Sequence, residues 1–189
     1  MSMQYHDEIH IMREFRETLG YLRGDLRYLL DRQAGLNYTI ALLIGCGCEM
    51  LAAAEGDTKN RLGETVFAEL LPAGDVQALA TRLYSALRDG LAHGFDTKHI
   101  EVEGVEHQIH LTSVGQQDIR LQSTDRGVGL YIGVQRLAEA LCAKITDFET
   151  KLRTDEGVRQ RFMQARQPTT RLNTGEKAAW NRLLVAAGL

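Results

Sequence analysis

The chain lacks the features that would assign it to a secreted or membrane class. It has three cysteines in 189 residues, and an odd number of cysteines without a secretion signal argues against a disulfide framework. No uninterrupted apolar run reaches the roughly 18 residues of a bilayer-spanning helix, and the polar start of the chain is unlike a signal peptide. We therefore expect a cytoplasmic protein with no membrane partner.

The chain also lacks a large excess of either charge, since its formal net charge at pH 7 is −3. This excludes a broad basic surface for duplex nucleic acid but allows a local basic cleft. Positive charge is concentrated between residues 151 and 171. A solvated helix face is the simpler interpretation of this segment. The alternative is a weak RNA-binding contribution from Lys151, Arg153, Arg159 and Arg161.

Metal-binding patterns are missing as well. Cys46 and Cys48 stand two residues apart in an apolar helical pattern, so their side chains point to different sides of the helix. No second cysteine or histidine pair stands at ligand spacing. We expect plain buried thiols, no metal and no cofactor.

Apolar residues at three- and four-residue spacing predict a mainly α protein. The expected helices cover about 6–33, 38–54, 61–71, 76–91, 128–153 and 157–165, with a terminal helix after Thr174. The helix over 38–54 is apolar almost all round and is the expected central helix. Asn37 and Asp75 are the expected N-caps of the second and fourth helices.

Between the fourth and fifth predicted helices, the pattern changes to alternating apolar and polar residues. The segment from His99 to Val114 predicts a hairpin, and Asp118 to Ser123 adds a third short strand. The sequence thus predicts one domain, 1–189, built as an antiparallel helical bundle with a β insertion at about 98–123.

The segment from Leu83 to Phe95 carries polar groups that the packing of an apolar helix does not require. On one helix, Arg88 and His93 lie on opposite sides of the apolar stripe, about 140° apart. Asp89 and His93 share a face, so the carboxylate is placed to hold one imidazole tautomer and raise its pKa. The simpler interpretation is ordinary polar residues at a helix end, with His93 as a favourable C-terminal cation.

Arg88 and His93, with four residues between them and a polar residue directly after the arginine, resemble the R-x4-6-H signature of the HEPN superfamily. The family comprises small helical ribonucleases and nucleic-acid-associated modules. The resemblance covers about Leu83 to Phe95. It implies a homodimer around an RNA-binding cleft lined by both motifs. In that cleft His93 would act as general base and Arg88 would stabilise phosphate charge, with no metal.

The resemblance implies a toxin, phage-defence or stress setting, with an antitoxin or regulatory protein as a possible partner. Phe95 stands where toxin-type relatives often carry a tyrosine that is nucleotidylated. This chain has no hydroxyl at that position, so we do not expect that form of control.

Glu49 is a second candidate, because it follows the apolar run Leu42–Cys48 and an unpaired buried carboxylate is costly. Our hypothesis is that Glu49 lies near Arg88 or His93 and orients one of them. The alternative is that it reaches water at a polar edge of the helix.

The sequence alone is consistent with three functions. The first is a metal-independent endoribonuclease. The second is a non-catalytic helical dimer that binds RNA, a nucleotide or a protein partner. The third is an adaptor that uses the β insertion as an edge for strand addition.

Overall fold

A computed structural model describes residues 2–32, 36–56, 63–94, 99–112, 119–124, 127–165 and 174–187, with the backbone alone at 2–7, 89, 92–94 and 124. Most of these residues are helical, which confirms a mainly α fold. The α-helices are α1 (Ser2–Phe15), α2 (Tyr21–Asp31), α3 (Asn37–Ala54), α4 (Gly63–Leu70), α5 (Asp75–Ala78), α6 (Ala80–Gly94), α7 (Val134–Thr154), α8 (Glu156–Ala165) and α9 (Thr174–Ala186).

The central helix is α3, as its sequence predicts. It packs against α2, α4, α6, α7 and α8, and residues such as Ile40, Ile44 and Leu51 are fully buried. Its 18 residues have a mean hydropathy of 1.4, so by length and composition alone this helix could cross a membrane, although polar residues such as Asn37 and Glu49 interrupt its apolar run. Half of that segment is buried inside the fold, as in the core helix of a soluble protein.

The predicted first helix is continuous but contains a π-helical turn, Arg16–Gly20, between α1 and α2. Such a turn holds one more residue than an α-helical turn and shifts the phase of the residues that follow. Phe15, Leu19, Leu22 and Leu26 are all buried in the core. The Thr18 hydroxyl donates to the Glu14 carbonyl oxygen at 2.8 Å, inside this widened turn.

Both predicted N-caps are wrong. Asn37 is the first residue of α3, and its side-chain nitrogen donates to the Leu111 carbonyl oxygen at 3.2 Å, so it ties the helix to a strand instead. Asp75 begins the short α5, which follows Gly74, a residue with a positive φ of 109°. The helix is interrupted at Leu79, so the single helix predicted over 76–91 is divided into α5 and α6. The second of these ends at Gly94.

Two small sheets lie between α6 and α7. Strands β1 (Ile100–Val102) and β2 (Val105–His107) pair antiparallel. The second sheet contains β3 (Ile109–Thr112), β4 (Ile119–Thr124) and β5 (Gly127–Gly133) in the order β3-β5-β4. In it β5 pairs parallel with β3 and antiparallel with β4.

The strand β5 corrects two boundaries. The β region continues past residue 123, and the helix expected from Val128 begins at Val134. The pairing of β5 with β3 and β4 makes this segment a strand, and Leu130 and Ile132, two residues apart as on one strand face, are both buried. A helical period starts only at Val134, with Leu137, Ala138 and Leu141 buried after it.

Candidate functional site

The candidate site lies where α3 crosses α6. Gly45 of α3 packs against Arg88 of α6, since a Cβ built on Gly45 would make an ordinary van der Waals contact of 3.8 Å with Cβ of Arg88. Glu49 lies one turn after Gly45 on α3, and Tyr84 lies one turn before Arg88 on α6. Four-residue spacing places each pair on one face of its helix. The packing thus brings Glu49, Tyr84 and Arg88 together.

One carboxylate oxygen of Glu49 contacts both partners on α6. Oε1 accepts a hydrogen bond of 2.7 Å from the Tyr84 hydroxyl and lies 3.4 Å from Nε of Arg88. Tyr84 is only 6% exposed, whereas the side chains of Glu49 and Arg88 are 44% and 49% exposed. The cluster therefore has a buried end at the phenol and an open end at the guanidinium, where an anion can reach it.

The start of α4 closes the buried end. A Cβ on Gly63 would lie 2.8 Å from Cδ of Glu49 and would also collide with the Tyr84 hydroxyl oxygen. Glycine at this position lets the backbone of α4 pack directly on the Glu49 carboxylate and Tyr84. This contact restricts the positions open to both side chains.

Burial and the negative charge of Glu49 keep the Tyr84 hydroxyl and the Cys48 thiol protonated. The pKa of Tyr84 is raised above its ordinary range, chiefly by burial and then by its hydrogen bond to Glu49. Burial, followed by the charge of Glu49, raises the pKa of Cys48 to about 12. Tyr84 is thus a stable hydrogen-bond donor at neutral pH.

Glu49 contacts Arg88, as our hypothesis expects, and its side chain is 44% exposed, so it also reaches water, as the alternative expects. That it orients the arginine for a reaction stays a prediction. For the other two motif residues the structure describes the backbone alone. Asp89 and His93 both belong to α6, so the helix carries the whole motif, but their side chains lie outside the described residues. The Asp89–His93 contact and the relation of His93 to Arg88 therefore stay predictions.

The candidate RNA-binding residues of the basic segment make contacts within the chain. Lys151 pairs with Asp147 at 2.6 Å and Arg153 with Glu149 at 2.8 Å, each across one turn of α7. Arg159 donates to the carbonyl oxygens of Leu152 and Arg153, at the end of α7. Arg161 is exposed on α8, beside Gly56. Three of the four thus have a structural role, and a role in binding RNA stays a prediction.

The expectation of buried thiols holds for Cys48 and Cys142 and is wrong for Cys46, which is exposed. The period of α3 explains this, since residues two apart lie on different sides of a helix. Within the described ranges, no group of three histidine, cysteine, aspartate or glutamate side chains is close enough to hold a metal ion.

Sequence reasoning missed Tyr84 and Gly63 as parts of the site. Tyr84 had a usable signal, because it stands four residues before Arg88 and so shares its helix face. Gly63 had none, since only the packing of α4 on α3 and α6 brings it to Glu49. Comparison of the chain with protein-family models, curated proteins and solved structures gives no match.

Proposed function

We propose that the chain is a cytoplasmic, metal-independent endoribonuclease of the HEPN type, acting in a toxin, defence or stress setting. The proposed unit is one domain over residues 1–189, an antiparallel helical bundle that forms a homodimer around an RNA cleft. The observation that supports it best is Arg88 itself. It is held by Glu49 and half exposed on the same helix as His93, an arrangement suited to a positioned cation at a phosphate.

The proposed reaction uses the ribose as its nucleophile. His93 removes the proton from a 2′-hydroxyl, and the 2′-oxygen attacks the adjacent phosphorus. The bond from phosphorus to the 5′-oxygen breaks, and the protonated His93 returns its proton to that oxygen as it leaves. Arg88 stabilises the negative charge that builds on the phosphate oxygens. The products are a 2′,3′-cyclic phosphate and a 5′-hydroxyl end.

The remaining residues have positioning roles in this proposal. Glu49, itself held by Tyr84 and Gly63, fixes the angle at which Arg88 leaves α6. Asp89 sets the tautomer of His93. Because one helix directs Arg88 and His93 about 140° apart, a second copy across the two-fold axis would complete the site.

The test is to incubate the purified protein with mixed RNA in excess chelator and to identify the fragment ends. We expect cyclic phosphates from the wild type and none from Arg88→Ala or His93→Ala. Glu49→Gln keeps a hydrogen-bond acceptor for Tyr84 but loses the charge that holds Arg88, so we expect kcat to fall by up to about 100-fold. Glu69→Gln breaks the ion pair with Lys144 instead, a pair that contains none of the candidate residues, and is the matched control. Absence of cleavage across diverse RNAs would reject the proposal.

The second candidate is a non-catalytic dimer that binds RNA, a nucleotide or a regulatory protein such as an antitoxin. It needs only the half-exposed Arg88 at the open end of the cluster, and no base placed beside it. Fluorescence anisotropy with labelled RNA separates the two candidates. Binding that depends on Arg88, with no cleavage at any enzyme concentration, would select the binding module.

A further inference from the structure

A groove between α1 and the last turn of α7 brings together three arginines from distant parts of the sequence. Arg13 and Arg16 line it from α1, and Arg153 lines it from α7. All three residues are exposed, and the groove has a volume of about 420 Å³, within the range of small-ligand sites. In a chain of net charge −3, this is a local concentration of positive charge that suits an anion.

The positive charge of this groove is only partly compensated. Glu8 is the one acidic side chain among the described residues that line it. Arg153 pairs with Glu149 at 2.8 Å but stays 54% exposed, and the same carboxylate also pairs with Arg23 at 2.9 Å. Because one carboxylate serves two arginines, an excess of positive charge remains at the end of α7.

Two apolar side chains lie among the arginines. Ile9 is 55% exposed and Met12 is half-buried, and both line the groove. A simple anion needs only the guanidinium groups, whereas a nucleobase also needs apolar or planar groups to pack against. Thioether sulfur and guanidinium groups both make favourable contacts with aromatic rings. The lining therefore favours a polynucleotide over a bare anion.

The groove is separate from the Glu49 cluster. A Cβ built on Gly47 of α3 would collide with Leu141 of α7, so Leu141 marks where α7 passes the centre of α3. Arg153 follows twelve residues later, about 18 Å further along the helix at 1.5 Å per residue. Arg16 also begins the π-helical turn Arg16–Gly20, and such turns are frequent at functional sites.

We propose that this groove, which we call the arginine groove (Glu8, Ile9, Met12, Arg13, Arg16 and Arg153), binds the phosphodiester backbone of single-stranded RNA. The three guanidinium groups pair with phosphates, and Ile9 and Met12 contact a base between them. The inference rests on RNA being the ligand, as in the ribonuclease proposal, but not on cleavage, because the groove holds the strand away from Arg88.

Fluorescence anisotropy with labelled single-stranded RNA, measured over a range of salt concentrations, tests the groove. Every protein in this test carries Arg88→Ala, so that the RNA stays intact. Arg13→Gln and Arg16→Gln should each make the dependence of log affinity on log salt less steep by about 0.7, the value for one phosphate contact with a single strand. Arg136→Gln removes an exposed arginine elsewhere on α7 and is the matched control, with an unchanged slope.

Two further measurements test the sign of the charge and the role of the bases. Glu8→Gln should raise RNA affinity by up to about fivefold, the scale of one exposed charge interaction, because it removes a carboxylate from the groove. Inorganic polyphosphate has the charge of RNA without the bases, so it should compete more weakly than RNA of equal charge. Equal competition would overturn the assignment to RNA.

The inference is also overturned if the arginine variants bind like Arg136→Gln, or if the Arg88→Ala protein does not bind RNA at any salt concentration. The ribonuclease proposal is judged separately, by cleavage with the wild type. RNA binding through the groove without cleavage would reject the ribonuclease and support the groove. Cleavage with a salt dependence that ignores Arg13 and Arg16 would support the ribonuclease and reject the groove.

Discussion

The Tyr84 hydroxyl and Nε of Arg88 share one oxygen of Glu49, at 2.7 Å and 3.4 Å. Tyr84 and Arg88 lie on α6, and Glu49 lies on α3, so this oxygen links the two helices. A neutral donor from the buried side and a cation from the open side both stabilise the same carboxylate. The position of Arg88 therefore depends on the Glu49 carboxylate, which a water molecule does not easily replace as the partner of the guanidinium.

Tyr84→Phe should destabilise the fold by about 0.5–1.5 kcal/mol, the usual net worth of one hydrogen bond. The ring contact with Phe67, at 5.5 Å between centroids, is retained in this variant. Urea denaturation measures the change, with Tyr38→Phe, an exposed tyrosine, as control. Equal free energies of unfolding for wild type and Tyr84→Phe would show that the hydrogen bond is not made in solution.

Stability should fall at alkaline pH because of Tyr84. Its folded-state pKa is raised, whereas an unfolded tyrosine has a pKa of about 10. The protonated phenol thus contributes its full stability below about pH 10, and this contribution is lost as the pH rises above that value. Unfolding free energies from about pH 8 to about pH 11 should fall more steeply for the wild type than for Tyr84→Phe. Parallel curves would contradict the assignment.

Gly63→Ala and Gly24→Ala should change the free energy of unfolding in opposite directions. At Gly63 the added methyl group meets Glu49 and Tyr84, and we expect a loss of about 1–3 kcal/mol from overpacking. At Gly24 it meets nothing, so helix propensity should give a gain of up to about 1 kcal/mol. Urea denaturation at low protein concentration measures both changes in the free energy of unfolding. A gain at Gly63 would mean that α4 does not pack on the Glu49 cluster as described.

One of the three thiols should react quickly. Cys46 is exposed, whereas Cys48 and Cys142 are buried, and the pKa of Cys48 is raised to about 12. Since the thiolate is the nucleophile, a disulfide reagent at neutral pH should modify Cys46 first. Denaturant should expose the other two. Cys46→Ser should abolish the fast phase, and a fast phase that survives this change would place another thiol at the surface.

Local patterns were sufficient for much of this molecule. The almost uniformly apolar sequence of α3 predicted its central position, and the hypothesis that Glu49 lies near Arg88 or His93 agrees with the contact between Glu49 and Arg88. The partner of Glu49, Arg88, is one of the two residues near the polar end of α6 that this hypothesis names. These predictions succeeded because helix periodicity and charge burial depend on residues close together in the chain.

Tertiary structure decided the rest. Leu130 and Ile132 run on without a break into the apolar residues of α7, and the pairing of β5 with β3 and β4 makes residues 127–133 a strand. Asn37 donates to β3 and does not cap its helix. Gly63 and Tyr84 complete the Glu49 cluster through contacts between α3, α4 and α6. The sequence by itself determined where most of the helices lie, whereas the packing of distant segments decided the strand β5 and the partners of the site residues, because such contacts leave no period in the chain.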